Sequence, residues 1–331
     1  MSQENKFIRT DLAIESREMY KTNQIDGVKI ITQDFKNIRV TSVKIINSLG
    51  EKNLHKPQGT YVTLECPFLN KNSLDYREQV IKILAHNLKK LVYKKNKTKP
   101  ENILVFGLGN KNITADSLGP KTVSKVLVTR HIKNFIPEEL KNFIKTVSAI
   151  SPGVLGVTGL ETFEILKGIC EKTKPNLAII IDSLAARNIS RINSTIQLAD
   201  TGITPGAGVN NKRKSLNKYT LGCDVISIGV PTVIDAATLV NDTMDKIIDE
   251  MISFSKQNFE HDFFITFNNL NSDEKYNLIK KILGPYENNM FVTPKEVDNV
   301  IERLSNIIAN AINICLHEKI TEQDIDKFIC K

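Results

Sequence analysis

The 331 residues are 41% hydrophobic and 25% charged, the balance of an ordinary globular chain that needs no staples to hold its core. Lys and Arg number 45 against 37 Asp and Glu; the net charge of +8 favours acidic or polyanionic partners, although a Lys-rich surface drawn from base composition explains it equally well. Five scattered cysteines without a CxxC exclude a disulfide framework and a thiolate metal site, and an N-terminus without an apolar core excludes a signal peptide, so a chain that stays inside the cell with no membrane span is expected.

Residues 1–26 are polar and predict at most one short helix. Alternating apolar residues over 28–46 and 59–65 predict strands, separated by the turn-rich SLGEKNLHKPQG. Val80, Ile81, Leu84, Leu88 and Leu91 then recur at helical spacing over 73–93, with Ser73 as a cap. After KKNKTKPEN the pattern changes. Short apolar runs at 103–107, 146–151, 177–181, 194–199 and 224–230 alternate with helical stretches at 117–131, 159–173 and 231–256. From 273 the pattern is helical only, broken at Gly284-Pro285 and Thr293-Pro294. The expected fold is α/β: a mostly parallel central sheet with helices on both faces, extra N-terminal strands and C-terminal helices. Its α/β core covers about 73–256 and its C-terminal helical part about 273–331.

Ligands of open parallel sheets collect beyond the carboxyl ends of the strands, so four loops carry the interest. The first, FGLGNKNITADSLGP, offers Gly107, Gly109 and Asn110 for close backbone approach; it is not a dinucleotide fingerprint, because Asn112 stands where the third glycine belongs. Asp116 in this loop is either a helix cap or an acid. The second, ISPGVLGVTGLET, places Gly153 and Gly156 in a plain connection or a backbone cradle. In the third, IIIDSLAARNISRI, Asp182 ends an apolar strand, where burial and a like-charged neighbour would raise its pKa; Arg187 could pair with it. The fourth, LADTGITPGAGVNNKRK, holds Asp200 in an Asp-Thr-Gly tripeptide. That match to pepsin-like proteases is coincidental, since it follows a strand of a βα pattern and has no second copy. Lys212 and Arg213 in the same loop either hold an acidic partner or are simply solvated.

Absences narrow the chemistry. There is no GxSxG elbow and no HExxH, and none of the five histidines falls in a loop that follows a strand of the parallel pattern. The acids offered there are aspartates 116, 182, 200 and 235.

The stretches IRTDLAIES, GLGNKNITADSLGP, SPGVLGVTGLET, IDSLAARNISRINSTIQLADTGITPGAGVNNKRK and IGVPTVIDAATL together resemble the germination protease family of spore-forming bacteria, from about residue 7 to the C-terminus. The resemblance implies a cytoplasmic endopeptidase of the forespore and spore core, made as a zymogen and assembled as a homotetramer. It implies a fold similar to hydrogenase maturation proteases and, as substrates, the small acid-soluble proteins that coat spore DNA. By motif the family's essential aspartates fall on Asp116 and Asp182, an atypical aspartic pair with no cofactor. TDLAIE resembles the family's cut site, which puts self-cleavage between Asp11 and Leu12, with 1–11 as propeptide and 12–331 as one protease domain. The backbone of the two glycine loops would hold the oxyanion, and Arg187, Lys212 and Arg213 would read acidic residues beside the cut. Two rivals stand beside this reading. One is a metal-dependent peptidase at the same carboxylates, and the other is a basic nucleic-acid-binding protein; the latter lacks aromatic stacking platforms.

Overall fold

The computed structural model describes residues 10–20, 24–69, 73–95, 100–135, 138–141, 143–207, 213–254, 274 and 290–317. Among these, nine strands form one sheet: β1 (Val28–Phe35), β2 (Ile38–Ile45), β3 (Gly59–Glu65), β4 (Asn102–Gly107), β5 (Thr146–Ile150), β6 (Leu177–Ala186), β7 (Thr195–Ala199), β8 (Asp224–Asp235) and β9 (Phe291–Val292). Their order is β1-β2-β3-β7-β8-β6-β4-β5, with β9 on β8. The core strands β5, β4, β6 and β8 are mutually parallel. The N-terminal strands β1, β2 and β3 join them through β7 in antiparallel pairings.

Strand alternation explains why both faces are covered. Ile103 and Val105 of β4 and Ile179 and Ile181 of β6 point to one side, where helices Leu74–Lys95 and Val297–Leu316 pack. Leu104, Phe106, Ala178 and Ile180 point to the other, against Leu166 and Cys170 of helix Thr162–Thr173. Asp182 shares the parity of Ile180 and so emerges on this second face, past the end of the apolar run.

Four expectations need correction. The strand at 194–199 is antiparallel to β8, because it returns from a short turn rather than through a helical crossover. β8 continues to Asp235, so the following helix is Ala236–Phe254; Val233 and Ile234 still pair with Ala185 and Ala186. The helix expected at 117–131 breaks into a 3-10 turn at Thr114–Asp116, a helix at Leu118–Val123 and a second 3-10 turn at Arg130–Phe135. The helical pattern after 273 is interrupted at Phe291–Val292, which pairs with the end of β8, while Gly284-Pro285 lies outside the described residues. Among the described residues no helix is long and apolar enough to cross a membrane.

Candidate active site

The backbone from Gly107 to Asp116 folds back on itself. Leu108 donates its N–H to the Ile181 carbonyl at 2.8 Å, continuing the β4–β6 ladder for one more residue. Gly109 then turns away with φ +109°, and a Cβ there would lie 2.0 Å from the Asp116 carbonyl oxygen. Only glycine admits that approach. The Asp116 carboxylate reaches back across it and accepts the Asn110 N–H at 2.7 Å. Asp116 is therefore not the cap of helix Leu118–Val123; no side chain caps that helix. The turn is pinned from outside by Thr232 Oγ1 donating to the Ala115 carbonyl at 2.7 Å and by Thr114 Oγ1 donating to Asp298 at 2.8 Å.

Asp116 and Asp182 line one cavity of about 470 Å³, together with Asp11 and the end of β6. Asp182 is 7% exposed and accepts the N–H of its neighbour Ser183 at 2.9 Å. Burial, then the charges of Asp116 and Asp11, push its carboxyl well above the usual carboxylate range. Burial also raises Asp116, against the N–H of Asn110, which favours the ionised form. No ion pair joins Asp182 to Arg187, whose backbone N–H serves a different acid. Two carboxyls on the wall of one cavity, both shifted upward, hold their protons to higher pH than exposed carboxylates do.

The row of the sheet through Asp182 explains what else enters the cavity. Asp182 is level with Gly229 of β8, and Gly229 is level with Gln197 of β7. Residues level with one another on neighbouring strands share a face. Gly229 contributes no side chain, and Leu184 folds into the space, 2.4 Å from where a Cβ would stand. Leu12 and Ile14 pack on Leu184, so the N-terminal segment lies across this row. Asp11 pairs with Ala185 in both directions: its N–H donates to the Ala185 carbonyl at 3.2 Å, and its carboxylate accepts the Ala185 N–H at 2.9 Å. Ala13 donates to Gln197 Oε1 at 2.7 Å. Glu15, 2% exposed, accepts the N–H groups of Arg187 and Asn188 at 2.9 Å each and lies 3.7 Å from the Arg191 guanidinium. Arg191 also holds Glu18 at 2.6 Å and Glu65 at 3.3 Å, which ties helix Ala13–Glu18 to β3.

Other residues singled out in the sequence fall elsewhere. Gly107 sits beneath the cavity, where its missing Cβ lets Gly119 approach, while Gly109 and Asn110 line the wall. Gly153 and Gly156 are off the lining; Gly156 lies in the helical turn Leu155–Thr158 with open space around it, and the loop is represented at the wall by Val154 instead. Asp200 is remote in role: its carboxylate accepts the Thr60 N–H at 2.7 Å and lies 3.5 Å from Lys94, fastening β7 to β3. Arg213 lines the cavity but pairs with Glu161 at 3.2 Å, and Lys212 lies outside the described residues. Sequence reasoning missed Lys56, Gln197 and Arg191. A polar residue inside the apolar run STIQLA was the available signal for Gln197; Lys56 looked like part of a turn.

Among the described residues no group of three or more His, Cys, Asp or Glu is placed to hold a metal ion. The model of the family described as germination protease matches residues 8–262 and 253–329 of the chain. The germination protease of Caldanaerobacter subterraneus subsp. tengcongensis is 45% identical over 97% of this chain and 98% of its own length. That of Clostridium tetani is 45% identical over 97% and 99%. Among solved structures, a NiFe hydrogenase maturation protease, HycI from Thermococcus kodakarensis, is 19% identical over 68% of this chain and 98% of that one, with a TM-score of 0.32.

Proposed function

The chain belongs to the germination protease family and is thus a protease of spore germination, and from that premise we propose that it is an endopeptidase zymogen with Asp116 and Asp182 as its working pair. The observation that carries this is the segment Thr10–Glu15: Asp11 lies on the wall of the cavity that Asp116 and Asp182 line, and its carbonyl oxygen accepts from Gln197, which is level with Asp182 through Gly229. A chain that seats its own acidic segment in a cavity lined by the buried Asp182 and the half-buried Asp116 is arranged as enzyme and substrate at once.

In this reading the pair holds one proton. The ionised member takes a proton from water as the water oxygen attacks the Asp11 carbonyl carbon; the protonated member gives its proton to the Leu12 nitrogen as the C–N bond breaks. The two titrate as a unit, so neither role belongs to one residue alone. Mild acid keeps that proton on the pair and is the expected trigger for self-cleavage. Removal of the segment up to Asp11 opens the cleft to other chains. The substrates would be small acid-soluble spore proteins carrying an acidic residue before the cut and another a few residues after it. The pocket around Glu15, built from the N–H groups of Arg187 and Asn188 and the Arg191 guanidinium, supports reading of the second acid. The homotetramer and the spore-core location belong to the same proposal.

The experiment is digestion of a purified small acid-soluble spore protein by the chain after incubation in mild acid, before and after exhaustive chelation. Cuts after acidic residues that survive chelation are expected. Loss of cutting on chelation, restored by a divalent cation, would transfer the chemistry to a metal held by the same carboxylates.

A further inference from the structure

The carbonyl of Asp11 is held by two side chains that neither motif nor spacing marks. Lys56 Nζ donates to the Asp11 carbonyl oxygen at 3.1 Å and to the Thr10 carbonyl at 3.2 Å. Gln197 Nε2 donates to the same Asp11 oxygen at 3.2 Å. Both donors are positioned by the fold. Gln197 is 7% exposed, and its Oε1 is fixed by the Ala13 N–H at 2.7 Å, so the amide bridges the two residues that flank Leu12. Lys56 follows His55, which ends helix Ser48–Leu54 in the left-handed conformation at φ 50°, and precedes Pro57, so its backbone is set on both sides.

We propose that Lys56 and Gln197 form the oxyanion-binding pair of this protease, gripping the oxygen of the bond that is cut. The inference rests on the reading of Asp11–Leu12 as the cleaved bond. As water adds to the carbonyl carbon, the C=O pair moves onto oxygen. The resulting negative charge falls between an ammonium and an amide N–H that are already in place, and it returns to the carbonyl when the bond to the Leu12 nitrogen breaks. Preorganised donors of this kind gain strength as charge develops, so they lower the barrier more than they tighten binding. Burial lowers the Lys56 ammonium from the usual lysine range, against the opposing pull of Asp11 and Glu15. Mild acid keeps it protonated, in the same conditions that keep the proton on the aspartate pair. The first glycine loop is a poorer candidate for this role, since the N–H groups of Leu108, Asn110, Asn112 and Ile113 are already spent within the fold.

The test is the first-order rate of self-cleavage of the full chain in mild acid, for the wild type, Lys56→Met, Lys56→Arg and Gln197→Leu, with the thermal midpoint of each. Lys56→Met and Gln197→Leu should each slow cleavage about 100-fold. Lys56→Arg should recover most of the rate, and the pH at which the rate rises should stay where the wild type has it. Since Lys56→Met could loosen the loop before β3, Gln197→Leu in the middle of β7 is the independent arm. Wild-type rates in both Lys56→Met and Gln197→Leu, with the wild-type chain cut after Asp11, overturn the oxyanion pair while leaving the protease reading intact. A wild-type chain that is never cut after Asp11 overturns both.

Discussion

Asp182→Asn and Asp116→Asn are each expected to lower self-cleavage by about 10²–10⁴-fold, the range over which a positioned acid or base contributes. The loss should extend equally to digestion of other chains, because the same pair serves both. Asp182→Asn carries a second signature. Its carboxyl is held well above the usual range by burial, then by Asp116 and Asp11, whereas in the unfolded chain it titrates near about 3.9. Above that pH the unfolded state releases a proton that the native state retains, so the native state loses stability as pH rises towards the folded value. Asparagine keeps the shape without the ionisation. The Asp182→Asn chain should therefore melt higher than the wild type at neutral pH, with the difference vanishing below the carboxylate range. A variant that is inactive and also less stable at neutral pH would mean that Asp182 is an anchoring residue, and one that still cuts would remove it from the pair.

Gly109→Ala is expected to cost about 100-fold in the same rate with only a modest fall in thermal midpoint. A methyl group at this position lies 2.0 Å from the Asp116 carbonyl oxygen and 3.0 Å from its Oδ1, and φ +109° is unsuited to any side chain. The turn must open, and Asp116 moves with it; a displacement of about 1 Å is enough for a loss of that size. Gly156→Ala is the control. It lies in the other glycine loop with nothing within 4 Å, and it should cut at the wild-type rate. Equal rates for the two variants would show that the carboxylate does not depend on the Gly109 turn.

The contrast between those two glycines illustrates what the sequence made legible. Strand and helix periods along the chain identified the parallel core, because buried runs such as Leu177–Ile181 have no other stable home. Asp182 at the end of such a run lines the cleft, whereas Asp200 at the end of another fastens β7 to β3, a difference the runs do not encode. Pairing direction did not follow from the runs: β7 is as buried as the parallel strands despite Thr195 and Gln197, and only its return from the turn at Ile189–Arg191 makes it antiparallel to β8. The glycines of the two loops looked equivalent in composition, and their difference lies in a close approach between residues seven apart, which spacing does not encode. Lys56 and Gln197 are 141 positions apart and meet only through the segment they hold. Arg191 was hidden by its own motif, in which Arg187 looked equally able to read an acid; the fold uses the backbone of one and the guanidinium of the other.

In the proposed mechanism the chain holds its own bond between residues 11 and 12 in working position beside Asp116 and Asp182. The measurement that meets it head-on is the N-terminal residue and intact mass of the purified full chain after incubation in mild acid, with Asp182→Asn run alongside. A new N-terminus at Leu12 is expected in the wild type and an unchanged chain in the variant. A new terminus at any other residue, or cutting at Leu12 that proceeds at the same rate in Asp182→Asn, would contradict it.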